Sequence, residues 1–250
     1  MKMNRIDLLM LFLFVGVNSS GGQTGAKTNC VCMKSSASGY YCEEHTCHTE
    51  YEYSACFSGR STVQTSNGKK VALSNVRIGE EVLVFDGKKF IFEPIYDIIH
   101  REHVNFYPFI QLTVFNDQFN STHSIEISSK HLIFQYGKID PVFAADVQIG
   151  DDLQLVIQSK ISRGRVRQID EILSQGFIAP LTYSGTIVVN DLVCSNYAEA
   201  RNHRLAHLAM QPYRWWRSIF GIKQTIGKDL NWYTLILSYF ADKFNLLNSF

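Results

Sequence analysis

The residue that most invites chemistry is Cys56, set in SACFSGRSTVQT (Ser54 to Thr65). A merely structural thiol belongs inside an apolar run, whereas Ser54, Ala55, Ser58 and Gly59 surround this one with small residues and leave the backbone open to close approach. Its thiol is therefore a candidate nucleophile, and the plainer account is a disulfide to Cys194, far away in sequence. The remaining cysteines, Cys30, Cys32, Cys42 and Cys47, cluster near the N-terminus with His45 and His48 beside the last of them. CVC followed by CEEHTCH matches no zinc spacing, so no metal is expected and the cluster reads as two disulfides of undetermined connectivity. Asn120-Ser121-Thr122 is a glycosylation sequon in a polar loop.

The chain that must position these groups has 250 residues, 46% of them hydrophobic, which suits one substantial domain with appendages. A formal net charge of +1 with dispersed charges excludes a nucleic-acid footprint. Lys2 and Arg5, an apolar run from Leu8 to Val17 and then small residues have the layout of a secretory signal peptide over 1–20. No later stretch is apolar enough to span a bilayer, so the mature chain is expected in the secretory pathway (endoplasmic reticulum lumen) or outside the cell, soluble or peripherally bound.

From Cys56 to about Tyr197 short alternating or apolar runs predict strands: VLVF, FIQLTVF, SIEIS, HLIFQY and GTIVVND. Asn67-Gly68 and Asp86-Gly87 are turn signals between them. NGKKVALSNVRIGEEVL (Asn67 to Leu83) is echoed by YGKIDPVFAADVQIGDDLQL (Tyr136 to Leu155), which predicts two related halves around one core. Beyond Tyr197, AEARNHRLAHLAMQPYRWWRSIFG and LNWYTLILSYFADKFNLL have helical spacing, with Pro212 as a break, and faces apolar enough to pack on the β domain or touch lipid.

CFSGRSTV, the V-x-I-G-[ED]-[ED]-V-L turn, SSKHLIF and above all APLTYSGTIVVND (Ala179 to Asp191) resemble the autoprocessing Hint (hog) module of hedgehog and hedgehog-related proteins, a relative of inteins, over roughly residues 56 to 215. The resemblance implies an all-β Hint fold with pseudo-twofold halves and a C-terminal helical tail. The expected layout is 1–20 signal peptide, 21–55 Cys-rich segment released by processing, 56–200 autoprocessing domain and 201–250 a sterol-recognition-like helical region. It also implies self-cleavage between Ala55 and Cys56: the Cys56 thiol attacks the Ala55 carbonyl to make a thioester, and a second nucleophile, the hydroxyl of cholesterol in hedgehog proteins proper, displaces it. His131 matches the family's histidine, which protonates the departing amine, and Ser128 replaces the threonine of its T-x-x-H motif.

The chain departs from the family elsewhere. His100 stands where hedgehog members place an aspartate base for the transfer step, with Asp97 and His103 as fallbacks nearby. Asn196 takes the place of a cysteine two residues before Ala198, and Cys194, on the same side of a strand of period two, is a possible redox partner that would mask Cys56. Splicing is disfavoured, because Tyr197 after Asn196 supplies no ordinary splicing nucleophile. Trp215, Trp216, Trp232 and Tyr233 beside Arg214 and Arg217 suit a membrane surface or a flat lipid. No cofactor is expected; cholesterol or a similar sterol is the implied co-substrate. The rival expectation, which Ser128 and His100 motivate, is a secreted binding protein with an inactive Hint-like domain.

Overall fold

The structure is a computed structural model describing residues 25–35, 42–52, 56–198 and 202–220. The signal-peptide segment, Ala55, Trp232 and Tyr233 lie outside the described residues. The chain divides into two compact units, Ser20–Ser54 and one that holds Ala55–Phe250. In the first, β1 (Gly25–Ser35) and β2 (Cys42–Glu52) pair antiparallel, and the register sets Cys30 opposite Cys47 and Cys32 opposite His45.

The second unit is a β domain. Its strands are β3 (Phe57–Ser58), β4 (Thr62–Gln64), β5 (Lys70–Ala72), β6 (Glu81–Phe85), β7 (Phe90–Pro94), β8 (Asp97–Asn116), β9 (Ser121–Ile127) and β10 (His131–Ile133). They are followed by β11 (Val142–Phe143), β12 (Asp152–Ile157), β13 (Lys160–Leu181), β14 (Thr186–Val189) and β15 (Leu192–Ala198), then by helices α1 (His203–Ala209) and α2 (Gln211–Phe220). The main sheet runs β3-β9-β8-β13-β12-β15-β14-β4-β5, with β10 joining β11 to β15 and β6 pairing β7 separately.

The internal echo folds as two copies of one device. A short 3-10 turn, Leu73–Asn75 in one and Ala144–Asp146 in the other, follows a short strand. Gly79 and Gly150 then turn the chain at φ of 89° and 96°, a region that only glycine enters without strain. Gly79 N–H donates to the Ile95 carbonyl as Gly150 N–H donates to Val166, and the Arg77 amide is capped by Glu80 as the Gln148 amide is by Asp151. The V-x-I-G-[ED]-[ED] string is thus a turn whose acidic side chain caps its own backbone.

Strand periodicity places the core. In FIQLTVF, Leu112 and Val114 point inward while Gln111 and Thr113 reach the surface. β14 and the first half of β15 are buried on both faces, which is why IVV and LVC read as apolar runs. Ile187, Val189, Leu192 and Cys194 enter the main core, while Val188 and Val193 meet Leu83, Phe134 and Val156 on the other side. GTIVVND, read as one apolar run, instead ends in a hairpin turn. Asn190 and Asp191, at φ of 48° and 68°, are the two-residue connection to β15.

The first part of the tail packs on the β domain. Ala206, Ala209, Met210 and Tyr213 are buried with Tyr96, Leu181 and Tyr197. Pro212 does not simply break the helix: it occupies the first turn of α2, where a missing N–H leaves no bond unmade. The expected basic surface is corrected as well. Trp215 is 66% exposed, but Arg214 and Arg217 are only 5% and 1% exposed and point inward. Arg214 donates to Tyr197 Oη, the His207 carbonyl and Gln211, and Arg217 donates to the Tyr96 carbonyl. Two guanidinium groups removed from water must meet acceptors, and these lie partly in the helices and partly, at Tyr197 and Tyr96, in the β domain. No helix among the described residues is long and apolar enough to cross a membrane.

Candidate active site around Cys56

Cys56 immediately precedes β3, whose Phe57 pairs with Ile127 of β9 on one side and Ile178 of β13 on the other. Continuing the β9 register by one residue brings Ser128 opposite Cys56. The Cys56 amide N–H donates to Ser128 Oγ at 2.9 Å, and the Ser128 amide donates to the Cys56 carbonyl at 3.1 Å. The nitrogen of the Ala55–Cys56 peptide bond is therefore held by a hydroxyl that can stay with it as it leaves.

The His131 amide donates to the Ser128 carbonyl at 3.0 Å, closing a four-residue turn from Ser128 to His131. This explains the spacing of S-x-x-H: the first residue grips the Cys56 backbone and the turn returns the imidazole to the same place. The ring packs on Phe57 with centroids 4.1 Å apart, and its Nε2 donates to the Ser195 carbonyl at 2.8 Å. Since a carbonyl only accepts, Nε2 carries the proton in the neutral ring and Nδ1 carries the lone pair. Cys56, Ser128 and His131 are all buried, Cys56 being 1% exposed.

Cys194 is placed elsewhere. It lies in the apolar core opposite Ile133 and Ile187, and burial pushes its thiol well above the ordinary cysteine range. Cys56 and Cys194 are both buried. Asn196, in the position of the family's cysteine, donates through Nδ2 to Thr182 Oγ1 at 2.8 Å.

The three candidates for a base at the second step separate. Ile178 of β13 pairs with Phe57 on one side and Arg101 on the other, so His100 on β8 lies across β13 from Cys56. It is half-buried, edge-on to Phe177 at 6.4 Å, and burial lowers its pKa, leaving the ring neutral near pH 7. Asp97 is fully buried and engaged: it accepts from the Ile98 amide at 2.8 Å and from the Tyr213 hydroxyl, and lies 3.7 Å from Arg217. His103 is exposed and lines a surface cavity with Gly59, Arg60 and Glu102. Asn120 is exposed at the β8–β9 turn. Among the described residues no acidic, histidine and cysteine group could hold a metal ion.

Two residues that the sequence did not single out belong to the site, Ser195 and His203. Ser195 Oγ meets His203 Nδ1 at 2.8 Å while its carbonyl holds His131. The only signal was the position of Ser195 in the last strand.

A cysteine at a strand start, gripped by a serine-to-histidine turn inside a two-copy β domain, defines a class. A family model for the Hint module matches residues 43–244, and the chain belongs to that family. Within it the chain is hedgehog-related. It is similar to Indian hedgehog B protein of Danio rerio, at 30% identity over 200 residues that cover 73% of this chain and 47% of the relative. It is similar to Protein hedgehog of Drosophila virilis at 30% over 168 residues, covering 64% and 33%. Warthog protein 1 of Caenorhabditis elegans is 25% identical over 181 residues, covering 69% and 36%. The chain thus spans about half the length, or less, of the curated relatives it matches. Among solved structures, a DnaB intein from Synechocystis aligns with a TM-score of 0.46 at 15% identity, over 57% of this chain and 98% of the intein.

Proposed function

We propose that the chain cleaves itself between Ala55 and Cys56 and passes its N-terminal segment to a hydroxyl nucleophile. The Cys56 thiol gives up its proton as its sulfur attacks the Ala55 carbonyl carbon, the carbon–nitrogen bond breaks, and the Cys56 amine takes up that proton by way of His131. The acyl group is then held as a thioester. An alcohol oxygen attacks the same carbon, its proton passes to a base and the thiol is released with the N-terminal segment as an ester. Membership of the Hint module family supports the self-processing chemistry.

The single observation that carries the reading is the grip of Ser128 on the Cys56 amide. The atom that must leave is fixed by a hydroxyl at 2.9 Å, and a turn of four residues sets the His131 ring against Phe57, the residue after Cys56. His100, neutral through burial, is the base for the second step, and a sterol of the cholesterol type is the alcohol. The setting is the secretory pathway, as for signalling precursors of the hedgehog kind, with residues 21–55 as the released piece.

Expression of the full chain and of Cys56→Ala, with and without a small thiol and with and without cholesterol, tests the reading. Mass measurement should find the N-terminal fragment carrying a sterol mass at Ala55 in the wild type and an intact chain in the variant. A wild-type chain that stays whole in both thiol and sterol sinks it and favours a binding domain on an inactive Hint scaffold.

A further inference from the structure

α1 reaches the catalytic edge of the β domain through one buried residue. Between β10 and β15 the register shifts: His131 pairs with Ala198 and Ile133 with Cys194. This irregularity turns the Ser195 carbonyl from the strand ladder to the imidazole of His131, at 2.8 Å. The Ser195 hydroxyl faces the helices. Its oxygen accepts the Tyr197 amide at 2.8 Å, which leaves its one proton available to His203 Nδ1, also at 2.8 Å.

Resting on the reading that His131 serves the cleavage at Cys56, we propose that His203 is a positioning residue for His131, acting through Ser195, so that docking of α1 sets the rate of the first step.

The setting of His203 is built. Its ring lies 5.4 Å from Phe134 and 5.6 Å from Tyr197, and stacks on His207 at 6.0 Å and 11°. Asn202 caps α1 by accepting the Leu205 amide at 3.1 Å. Gly185 leaves room for the partner ring: a Cβ there would stand 2.4 Å from His207 Nδ1 and 2.9 Å from the Tyr197 ring. Burial holds His203 neutral, with its pKa lowered to about 4, so that one of its ring nitrogens carries a lone pair and Nδ1 accepts when the proton is on Nε2. The helix that follows is fastened through Tyr213 and Arg217 to Asp97 and the Tyr96 carbonyl. Ser195 pairs with Thr186 on the β14 side, while on the β10 side the register shift leaves its carbonyl to His131, so the hydroxyl bond to His203 helps to fix the plane of that carbonyl and with it the ring of His131.

The test uses the full chain with His203→Phe, which keeps a ring without an acceptor, His203→Asn, which offers an amide oxygen near Nδ1, and Ser195→Ala, which removes only the hydroxyl. One measurement is the rate of thiol-induced cleavage; the other is the nitrogen resonance of the His131 ring, recorded in the Cys56→Ala background where the chain stays whole. His203→Phe and Ser195→Ala are expected to cleave about tenfold more slowly, the size of one buried hydrogen bond, and to shift the His131 signal. His203→Asn is expected to recover most of the rate. Wild-type rates with an unmoved His131 signal in His203→Phe and Ser195→Ala, or an Asn variant as slow as Phe, overturn the proposal. If even the wild type fails to cleave, the cleavage reading falls alone, and the His131 resonance decides the coupling: a shift supports it and an unmoved signal overturns it.

Discussion

Cys56 and Ser128 hold each other along both edges of the backbone: the cysteine amide donates to the serine hydroxyl at 2.9 Å, and the serine amide donates to the cysteine carbonyl at 3.1 Å. The replacement of threonine by serine at this position therefore leaves the hydroxyl's task in place. What it removes is the β-branch that limits χ1, so the hydroxyl is held by its bond rather than by its own stiffness.

Ser128→Ala takes the acceptor from a buried amide at the reacting bond. An unsatisfied buried donor costs about 1–3 kcal/mol, and thiol-induced cleavage should slow by about ten- to a hundredfold. Ser128→Thr keeps the hydroxyl and restores the branch, so its rate should match or exceed that of the wild type. Timed gel analysis after addition of thiol distinguishes the two. An alanine variant that cleaves at the wild-type rate would show that the hydroxyl has no part in the step.

Asp97 was a fallback base by position in the sequence, but its carboxylate is fastened to Tyr213 and lies 3.7 Å from Arg217. Asp97→Ala leaves a fully buried guanidinium without its counter-charge, which in comparable settings costs about 3–5 kcal/mol. In the uncleaved Cys56→Ala background, denaturant unfolding should show a loss of that order. A loss below about 1 kcal/mol would mean that α2 does not depend on this carboxylate.

How much was legible follows from how local each determinant is. Cys56 stood out because it stands among small residues, a short-range pattern, whereas His131 was singled out through the resemblance of SSKHLIF to the family's motif, and the four-residue turn from Ser128 that places it is seen in the structure. The paired halves could be read because each turn caps itself, as Glu80 and Asp151 do. Asn190-Asp191 was missed as a turn because the strands it joins are apolar on both faces and mask the break. The inward course of Arg214 and Arg217, the engagement of Asp97 and the link from Ser195 to His203 were not legible. For Arg217 and Asp97 the deciding partners, Tyr96 and Tyr213, are brought back across the fold, and the links of Ser195 to His203 and of Arg214 to Tyr197 join a strand to a helix. No local spacing records such pairs.

Cys194 should be a silent thiol. Burial among apolar side chains pushes its pKa up and leaves no thiolate near neutral pH. Peptide mapping after brief alkylation of the folded Cys56→Ala chain should find Cys194 unmodified, and full modification only after denaturation. Cys194→Ala should cleave at the wild-type rate while losing about 1–2 kcal/mol of stability from lost packing. Rapid alkylation of the folded chain at Cys194 would contradict the core placement.

The histidine pair of α1 makes a pH signature. Burial, chiefly, lowers His203 to about 4 and His207 to about 3 from an ordinary 6.5, with the Arg214 guanidinium adding to both. Each ring takes up its proton more readily in the unfolded chain, so the stabilisation is present above about pH 6.5 and is lost as pH falls toward the folded values. The sign is opposite to that of a histidine paired with a carboxylate. Urea unfolding of the Cys56→Ala chain should therefore show a lower midpoint at about pH 5 than at about pH 7.5. His203→Phe, which cannot titrate, should lose part of that difference while keeping its ring contacts with Phe134 and Tyr197. Equal midpoints at both pH values in the parent chain would place the two rings in water rather than against the β domain.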